Sequence, residues 1–184
     1  STFMARPLNG LTTSGCHLHV HLEGEGGENL LFAPLGEHGL SPAGESFLAG
    51  QVRYARALVA LMAPTVNCYH RYRNGDMTPR MSNWGIDDRT RAIRVIDPGT
   101  LRVHIECRLA SAAANPYLAL AGVLAAGILG IEQRLALSDV ADSRESDLLP
   151  RTLSEALDAL VAAPEVADVL GGEFIHLFST VKRR

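Results

Sequence analysis

Polar and apolar residues alternate between Arg102 and Arg108. The alternation places Val103, Ile105 and Cys107 on one face of a predicted strand. The opposite face carries ionisable side chains: Arg102, His104, Glu106 and Arg108. One interpretation is a sheet face that binds anions, because guanidinium groups match carboxylate and phosphate geometry, with a carboxylate left to hold a metal. The other is a solvated face with ordinary Glu–Arg pairs. The pattern of this strand alone does not decide between an anion-binding face and a solvated face.

A longer basic stretch leads up to this strand. Its arginines lie in segments whose pattern predicts buried strands: Arg71, Arg89, Arg94, Arg102 and Arg108. Residues 81–84 are predicted as a short strand, residues 85–89 as a turn, and residues 91–96 as a second strand. The turn at Pro98-Gly99 separates this strand from the one that contains Glu106. The two are therefore expected to pair antiparallel.

Histidines alternate with apolar residues over residues 16–22. His17, His19 and His21 share one strand face, and leucine and valine side chains occupy the other. Histidine is a common metal ligand, so three on one face favour a metal site or a site next to phosphates. The alternative is a set of polar residues without a ligand, because successive side chains on one strand reach a single ion poorly.

Two longer segments show helical periodicity. The first begins at Ser41, an N-cap followed by proline, and ends before Pro64. The second begins at Asn115, also followed by proline, and runs to about Leu135. Its many glycines and alanines predict a close approach by another element. A capping box at Thr152 begins a third helical region. The predicted fold class is α+β, with an antiparallel sheet portion followed by packed helices.

Composition limits the classes of partner. The chain of 184 residues is 47% hydrophobic with a formal net charge of −3, which predicts one packed domain and no nucleic-acid partner. Three widely spaced cysteines predict free thiols in a reducing, cytoplasmic compartment. No apolar stretch is long enough to cross a membrane. Residues after Met4 already predict a strand, and Lys182 to Arg184 continue a predicted helix, so the chain is expected to be part of a longer gene product.

Four motifs, in order along nearly the whole chain, resemble those of glutamine synthetases. Residues 14–19, Ser-Gly-Cys-His-Leu-His, resemble the family's Gly-Ser-Gly-Met-His-x-His segment. Residues 67–71, Asn-Cys-Tyr-His-Arg, are similar to its Asn-Ser-Tyr-Lys-Arg, and residues 88–95 to its Asn-Arg-Ser-Ala-x-Ile-Arg-Ile. Glu-x-Arg at 106–108, followed by Ala-Ala-Asn-Pro-Tyr-Leu at 113–118, matches the same order in the family. Each motif is weak alone, but together they are specific.

The resemblance implies a reaction. The family uses ATP to phosphorylate the side-chain carboxylate of glutamate, and ammonia or an organic amine then displaces phosphate from γ-glutamyl phosphate. It also implies Mg²⁺ or Mn²⁺, because the transferring phosphoryl group carries spread negative charge. A role in nitrogen metabolism and a homo-oligomer of the full-length protein are expected as well. The chain, residues 1–184, would be the C-terminal part of the catalytic domain.

The motif matches also imply the ligands of the metal and of ATP. His17 and Glu106 would hold the metal nearer ATP. His19 would lie near the ATP phosphates, and Arg94 would contact the nucleotide phosphates. Carboxylate and imidazole ligands of this kind suit Mg²⁺ or Mn²⁺.

Three further arginines acquire roles from the same matches. Arg71 and Arg108 would hold the carboxylates of glutamate. Arg89 would be the catalytic residue that stabilises the transferred phosphoryl group. The resemblance therefore assigns to anionic substrates the same basic side chains that the residue pattern singled out.

The chain departs from the family at several positions. Met77 occupies the place of a loop glutamate that binds and deprotonates ammonium, and Asp76 is one residue away. This favours a relative that ligates glutamate to a larger amine. Thr12-Thr13 replaces Asn-Gly beside the glutamate pocket. His21 replaces a serine, and His104 replaces an arginine that faces ATP.

The resemblance leaves other classes of protein open. The family's N-terminal β-grasp domain and the first part of its catalytic domain are not in this chain, so the chain alone is expected to be inactive. One alternative is a non-catalytic relative that keeps the fold for assembly. Another is an unrelated metal-binding protein built on the three-histidine strand. Retention of His17, Glu106 and the arginines argues against both.

Overall fold

A small sheet and six helices form the described part of the chain. The computed structural model describes residues 2–8, 10–74, 77–137 and 148–184. The strands are β1 (Leu18–Val20), β2 (Trp84–Ile86), β3 (Ile93–Ile96) and β4 (His104–Cys107). The helices are α1 (Pro42–Met62), α2 (Tyr69–Asn74), α3 (Pro116–Glu132), α4 (Leu153–Val161), α5 (Pro164–Leu170) and α6 (Gly172–Lys182). Most strands precede the helical second half, which confirms the predicted α+β class.

Strand β4 lies inside the sheet, whose order is β1-β4-β3-β2. It pairs antiparallel with β1 and with β3, so the predicted pairing across the Pro98-Gly99 turn is confirmed. The register places Glu106 directly opposite His19 on one side and Arg94 on the other. Facing residues on neighbouring strands project to the same side of a sheet. Three polar side chains from three strands therefore meet on one face.

The outer strand β2 differs from the prediction in position and direction. It begins at Trp84, while Met81 forms only an isolated bridge with Leu148. It also pairs parallel with β3, so the sheet is mixed and not wholly antiparallel. Parallel neighbours usually need a long crossover. Here residues 87–92 return the chain through two reversals, a sharp turn at Asp87, whose φ is 48°, and a second turn held by the Asp88 carboxylate.

The basic stretch is not a series of strands, contrary to the prediction. Arg71 lies in helix α2. Arg89 lies in a turn, which agrees with the turn predicted over residues 85–89 but not with a place in a strand. The helix forms because Tyr69 and Tyr72 are three residues apart and both side chains are buried, 2% and 3% exposed, on one helical face. Only Arg94, in β3, has the predicted strand position.

The first twenty residues contain less strand than expected. The strand predicted after Met4 does not form. Instead, Ser14 N donates to the Ala5 carbonyl at 2.8 Å, and the Asn67 side chain accepts from Arg6 N and donates to the Arg6 carbonyl, both at 2.9 Å. Strand β1 is three residues long, because only Leu18–Val20 find partners on β4. The apolar side chains of Leu18 and Val20 pack against the core, so the predicted alternation along this strand is confirmed.

The helix boundaries follow the predicted caps closely. Ser41 Oγ accepts a hydrogen bond from Gly44 N at 3.0 Å, and α1 ends at Met62, before the proline. Helix α3 ends at Glu132, slightly before the predicted end, where Arg134 takes a φ of 51°. No helix in the four described ranges is both long enough and apolar enough to span a membrane. Residues 138–147, which follow α3, lie outside the described residues.

Helices α1 and α3 cross at a pair of glycines. A Cβ added at Gly50 would lie 2.1 Å from the Ala126 carbonyl oxygen, and one added at Gly130 would lie 2.0 Å from the Ser46 carbonyl oxygen. Real Cβ atoms do not approach backbone so closely, so the two backbones touch. The close approach predicted from the small residues of α3 is therefore confirmed.

Gly130→Val is expected to destabilise the fold by at least about 1–3 kcal/mol, because the valine would push the two helices apart. Gly122→Ala on the same helix is the matched control, since its Cβ would have only ordinary contacts, 3.5 Å or more from Leu58, Leu61 and Met62. This control should leave stability unchanged or raise it by up to about 1 kcal/mol through helix propensity. Chemical denaturation measures both. Equal stability of the two variants would contradict the close crossing.

Candidate active site

The predicted site residues meet at the carboxylate of Glu106, in the middle of β4. Its Oε1 lies 3.0 Å from His17 Nδ1 and 2.8 Å from Arg108 Nη1. Its Oε2 lies 3.2 Å from Arg94 Nη1. His19 Nε2 is 3.7 Å from Oε1. One carboxylate therefore connects side chains from β1 and β3 with His17, which directly precedes β1, and Arg108, which directly follows β4.

Burial distinguishes between the two interpretations of the polar strand face. Glu106 and Arg108 are only 3% and 5% exposed. Buried charges of this kind stabilise a fold only when they are paired. A solvated face with ordinary pairs does not describe this end of β4. It does describe Arg102, whose exposed side chain lies 3.5 Å from Asp97.

The charges around Glu106 set the protonation states of the site. Burial acts to raise the pKa of the Glu106 carboxyl, but the surrounding cations, Arg108 first, outweigh burial and hold that pKa below its usual value. For His17, burial and then Arg108 lower the pKa more than the neighbouring carboxylate raises it. Near neutral pH, Glu106 is therefore an anion and His17 is uncharged. These are the forms in which both side chains bind metal cations.

Arg71 reaches the same site from helix α2. The side chain is 2% exposed, and its Nη1 donates to the carbonyl oxygens of Leu109 at 3.3 Å and Ala110 at 3.0 Å. A Cβ at Gly15 would lie 2.9 Å from Arg71 Nη2 and 3.0 Å from His17 Nε2. Glycine at this position lets the guanidinium and the imidazole approach each other. Burial lowers the pKa of Arg71, and the nearby positive charge of Arg108 lowers it further.

Arg89 does not join this cluster. It is exposed in a turn between β2 and β3 and forms no salt bridge among the described residues. The Asp88 carboxylate holds the turn, since its Oδ1 accepts from Thr90 N at 2.8 Å and its Oδ2 from Arg91 Nε at 2.8 Å. The turn therefore holds the backbone at Arg89 while its guanidinium remains accessible to a ligand.

Two other predicted positions also lie apart from Glu106. His21 Nε2 is 3.6 Å from Glu23 Oε2 at an exposed position. Met77 is 52% exposed. Asp76, one residue from the position of the family's loop glutamate, lies outside the described residues.

Two polar contacts of the site were not predicted from the sequence. Asp87 Oδ1 lies 2.8 Å from Arg94 Nη2 and so fixes the second nitrogen of that guanidinium. No motif pointed to this aspartate, because it immediately follows β2 and belongs to no recognised pattern. His104 Nε2 lies 3.1 Å from His19 Nδ1. The alternation along β4 had placed His104 on the correct face, but it could not identify the partner on another strand.

The donor atoms of the site fit part of a divalent cation site. His17 Nδ1 and Glu106 Oε1 are close enough to share one ion at about 2.1 Å from each. A carboxylate with an imidazole suits Mn²⁺ well and Mg²⁺ adequately. Among the described residues, no group of three or more His, Cys, Asp or Glu side chains is arranged to hold a metal. The carboxylate is also occupied by two arginines, so this chain contributes only an incomplete set of ligands.

Comparison with known proteins identifies the class of protein. The family described as "Glutamine synthetase, catalytic domain" matches residues 1–184. The glutamine synthetase of Thermococcus kodakarensis is 37% identical over 195 residues, covering 100% of this chain and 43% of the relative. The gamma-glutamylputrescine synthetase of Escherichia coli is 33% identical over 186 residues, covering 99% of this chain and 39% of the relative.

Solved structures agree with these sequence matches. The structure described as "Apo GmaS without ligand" superposes with a TM-score of 0.85 at 35% identity, covering 99% of this chain and 43% of that one. The "GmaS/ADP complex-Conformation 1" superposes with a TM-score of 0.83 at 33% identity. The chain belongs to the glutamine synthetase family, as the motifs predicted. It spans less than half the length of the relatives that it matches.

Asp88→Asn is expected to loosen the turn that carries Arg89. Hydrogen bonds from the Thr90 hydroxyl and backbone and from Arg91 lower the pKa of Asp88 from 3.8 to about 2. Because the pKa is lower in the folded state, the stabilisation is present above about pH 4 and is lost as pH falls toward 2. The difference in free energy of unfolding between wild type and the variant should therefore shrink over that range. Denaturant titrations at several pH values measure it.

Asp168→Asn, at an exposed position on α5, controls for the loss of one charge. A difference between wild type and Asp88→Asn that stays constant from pH 5 to about pH 2 would contradict this role of the carboxylate.

Proposed function

We propose that this chain is the C-terminal part of the catalytic domain of an ATP-dependent ligase that joins glutamate to ammonia or an organic amine through γ-glutamyl phosphate. The N-terminal β-grasp domain and the first part of the catalytic domain would lie in the remainder of a longer, cytoplasmic and homo-oligomeric protein. The observation that carries the proposal is the convergence of His17, Arg94 and Arg108 on Glu106 within a chain of this family.

Each side chain has a role that its surroundings support. Arg71 and Arg108 would bind the carboxylates of glutamate, because both are buried guanidinium groups that lie near His17. Arg94 would bind phosphate oxygens of ATP, and His19 would lie near them. Arg89 is exposed on a turn that the hydrogen bonds of Asp88 hold in place. It would be the catalytic residue that stabilises the transferred phosphoryl group.

A divalent cation would be held by His17 and Glu106, together with ligands from outside this chain. When bound, Mg²⁺ or Mn²⁺ would neutralise negative charge on the phosphates. The protein's own contribution is to keep Glu106 ionised, through Arg108 and the other nearby cations, and to keep His17 uncharged, through burial and Arg108. Arg94 and Arg108 bind the carboxylate in the meantime, so the ion would have to displace part of these contacts.

The acceptor is proposed to be an organic amine in preference to ammonia. Met77 stands where the family carries a glutamate, and a thioether can neither stabilise ammonium nor accept its proton. Two relatives that match the chain carry an organic amine in their names. They are the gamma-glutamylputrescine synthetase of Escherichia coli and a gamma-glutamylethanolamide synthetase of Streptomyces coelicolor, the latter 37% identical. Their substrates suggest alkylamines and amino alcohols as the first amines to test.

The full gene product should release phosphate from ATP and glutamate faster with an organic amine than with ammonia. Met77→Glu should raise kcat/KM for ammonia by about 10²-fold or more, because it restores a group that can accept a proton. Met77→Leu, which changes shape little and adds no charge, is the matched control. Saturation of the wild-type enzyme by ammonia at low concentration, with no organic amine competing, would refute the preference.

This chain alone is expected to show no glutamate-dependent ATP turnover. Two protein ligands do not position the γ-phosphate, and positioning is most of what phosphoryl transfer requires. Adding the remainder of the gene product in trans should restore turnover, which a coupled phosphate assay measures. Turnover by the isolated chain would show that its site is complete. Failure of the full gene product with every amine, despite normal folding and nucleotide binding, would favour a non-catalytic relative.

A further inference from the structure

A second group of arginines lies outside the Glu106 site, around a cleft beside helix α2. The cleft has a volume of about 190 Å³ and is lined by three arginines, a tyrosine and two leucines: Arg73, Arg80, Arg151, Tyr72, Leu148 and Leu149. All six belong to the described part of the chain. The contacts of Glu106 within that part involve none of these arginines, so the cleft is a separate site.

Main-chain contacts hold two of the arginine segments beside each other. Leu149 N donates to the Arg80 carbonyl at 2.9 Å, and Arg151 is two residues further along the chain. Arg151 N in turn donates to Glu155 Oε2 at 2.8 Å, so this carboxylate is engaged in capping the start of helix α4. The frame of the cleft therefore does not depend on the arginine side chains, which can be replaced without dismantling it.

The third arginine, Arg73, is carried by helix α2 next to a buried tyrosine. Tyr72 is only 3% exposed, and its hydroxyl donates to the Leu109 carbonyl at 2.6 Å. The same carbonyl oxygen accepts from Arg71 Nη1 at 3.3 Å. One short helix thus supplies a guanidinium to the Glu106 site and another to the cleft, and the buried tyrosine between them fixes both.

The described carboxylates leave the charge of the cleft unbalanced. The salt bridges in the described ranges use other arginines, and none involves Arg73, Arg80 or Arg151, whose side chains are all exposed. A cleft lined by one sign of charge and by apolar walls focuses the electric field and attracts counter-ions. Guanidinium groups match the oxygens of phosphates and carboxylates. Sites for drug-sized ligands occupy about 300–1,000 Å³, so this cleft suits a smaller ligand.

We propose that Arg73, Arg80 and Arg151 form a binding site for a small oxyanion, a phosphate or a carboxylate. The oxyanion has two possible sources. One is a free anion that acts as an effector. The other is an anionic group on the acceptor amine, because Arg80 follows Met77 by three residues, at most about 10–11 Å of chain. Only the second source rests on the proposed function, through the acceptor position at Met77.

The first test is calorimetric titration of the full gene product with inorganic phosphate and, separately, with succinate. A non-hydrolysable ATP analogue and glutamate are present throughout, so that the proposed active site is filled, and the ionic strength is low. Arg80→Gln removes a charged donor and should weaken one class of anion sites by about 10-fold or more. Arg80→Lys keeps the charge but loses the planar fork, so its affinity should lie between the two.

Arg53→Gln, at an exposed position on helix α1, is the matched control and should leave anion binding within about twofold of wild type. Equal weakening by Arg53→Gln and Arg80→Gln would show general attraction to surface charge and would overturn the proposal. Wild-type affinity for both anions in the Arg80→Gln/Arg151→Gln double variant would overturn it too. Thermal unfolding shows that each variant is folded, and Arg151→Gln provides a second reading if Arg80→Gln is not.

Kinetics with two matched amines separate the sources of the oxyanion. β-Alanine and propylamine have similar lengths, but only β-alanine carries a carboxylate. If the acceptor supplies the anion, Arg80→Gln should lower kcat/KM for β-alanine by about 10-fold more than for propylamine. If a free anion fills the cleft, Arg80→Gln should change kcat/KM for the two amines alike while phosphate or succinate binding weakens. Both results support the oxyanion site. Absence of ligase turnover with the expected pattern of anion binding intact would contradict the proposed function alone.

Discussion

The ion pairs of one buried carboxylate determine the arrangement of the site. Glu106 lies on the strand inside the sheet, so its neighbours can come from both adjacent strands and from its own. Two guanidinium groups and an imidazole lie within 3.2 Å of its oxygens, and their charges outweigh the cost of burying the anion. If the carboxylate were removed, the arginines would repel one another in a dry environment. The same contacts therefore stabilise the fold and gather the groups that anionic substrates require.

The sequence was most informative where local physical chemistry decides the structure. Caps and prolines located the starts of α1 and α3 because they act within a few residues. Alternation placed Glu106 correctly because one face of β4 is apolar and the other is not. The family resemblance rested on ordered motifs, and both the family match and the superposed structures confirm it. The roles assigned to individual residues by that resemblance stay predictions.

The errors arose where a partner distant in sequence decides the structure. Arg71 was placed in a strand, but two buried tyrosines make the segment a helix against the sheet end. The parallel pairing of β2 depends on a sharp turn at Asp87 that no local signal predicts, since an aspartate with positive φ is uncommon. The contact between His19 and His104 spans 85 positions and needed the register of two strands to become visible.

Arg71 has two tasks that mutagenesis would find hard to separate. One nitrogen of its guanidinium is bonded to the carbonyls of Leu109 and Ala110, where the chain leaves the sheet, while the other faces the glycine beside His17. Replacement would remove one of two donors from each carbonyl oxygen, because Leu109 O also accepts from the Tyr72 hydroxyl at 2.6 Å and Ala110 O from Cys16 N at 2.9 Å. Each lost hydrogen bond costs about 0.5–1.5 kcal/mol. Such a variant would lose structure together with affinity. The position therefore has little freedom to drift, even in a relative that has changed its substrate.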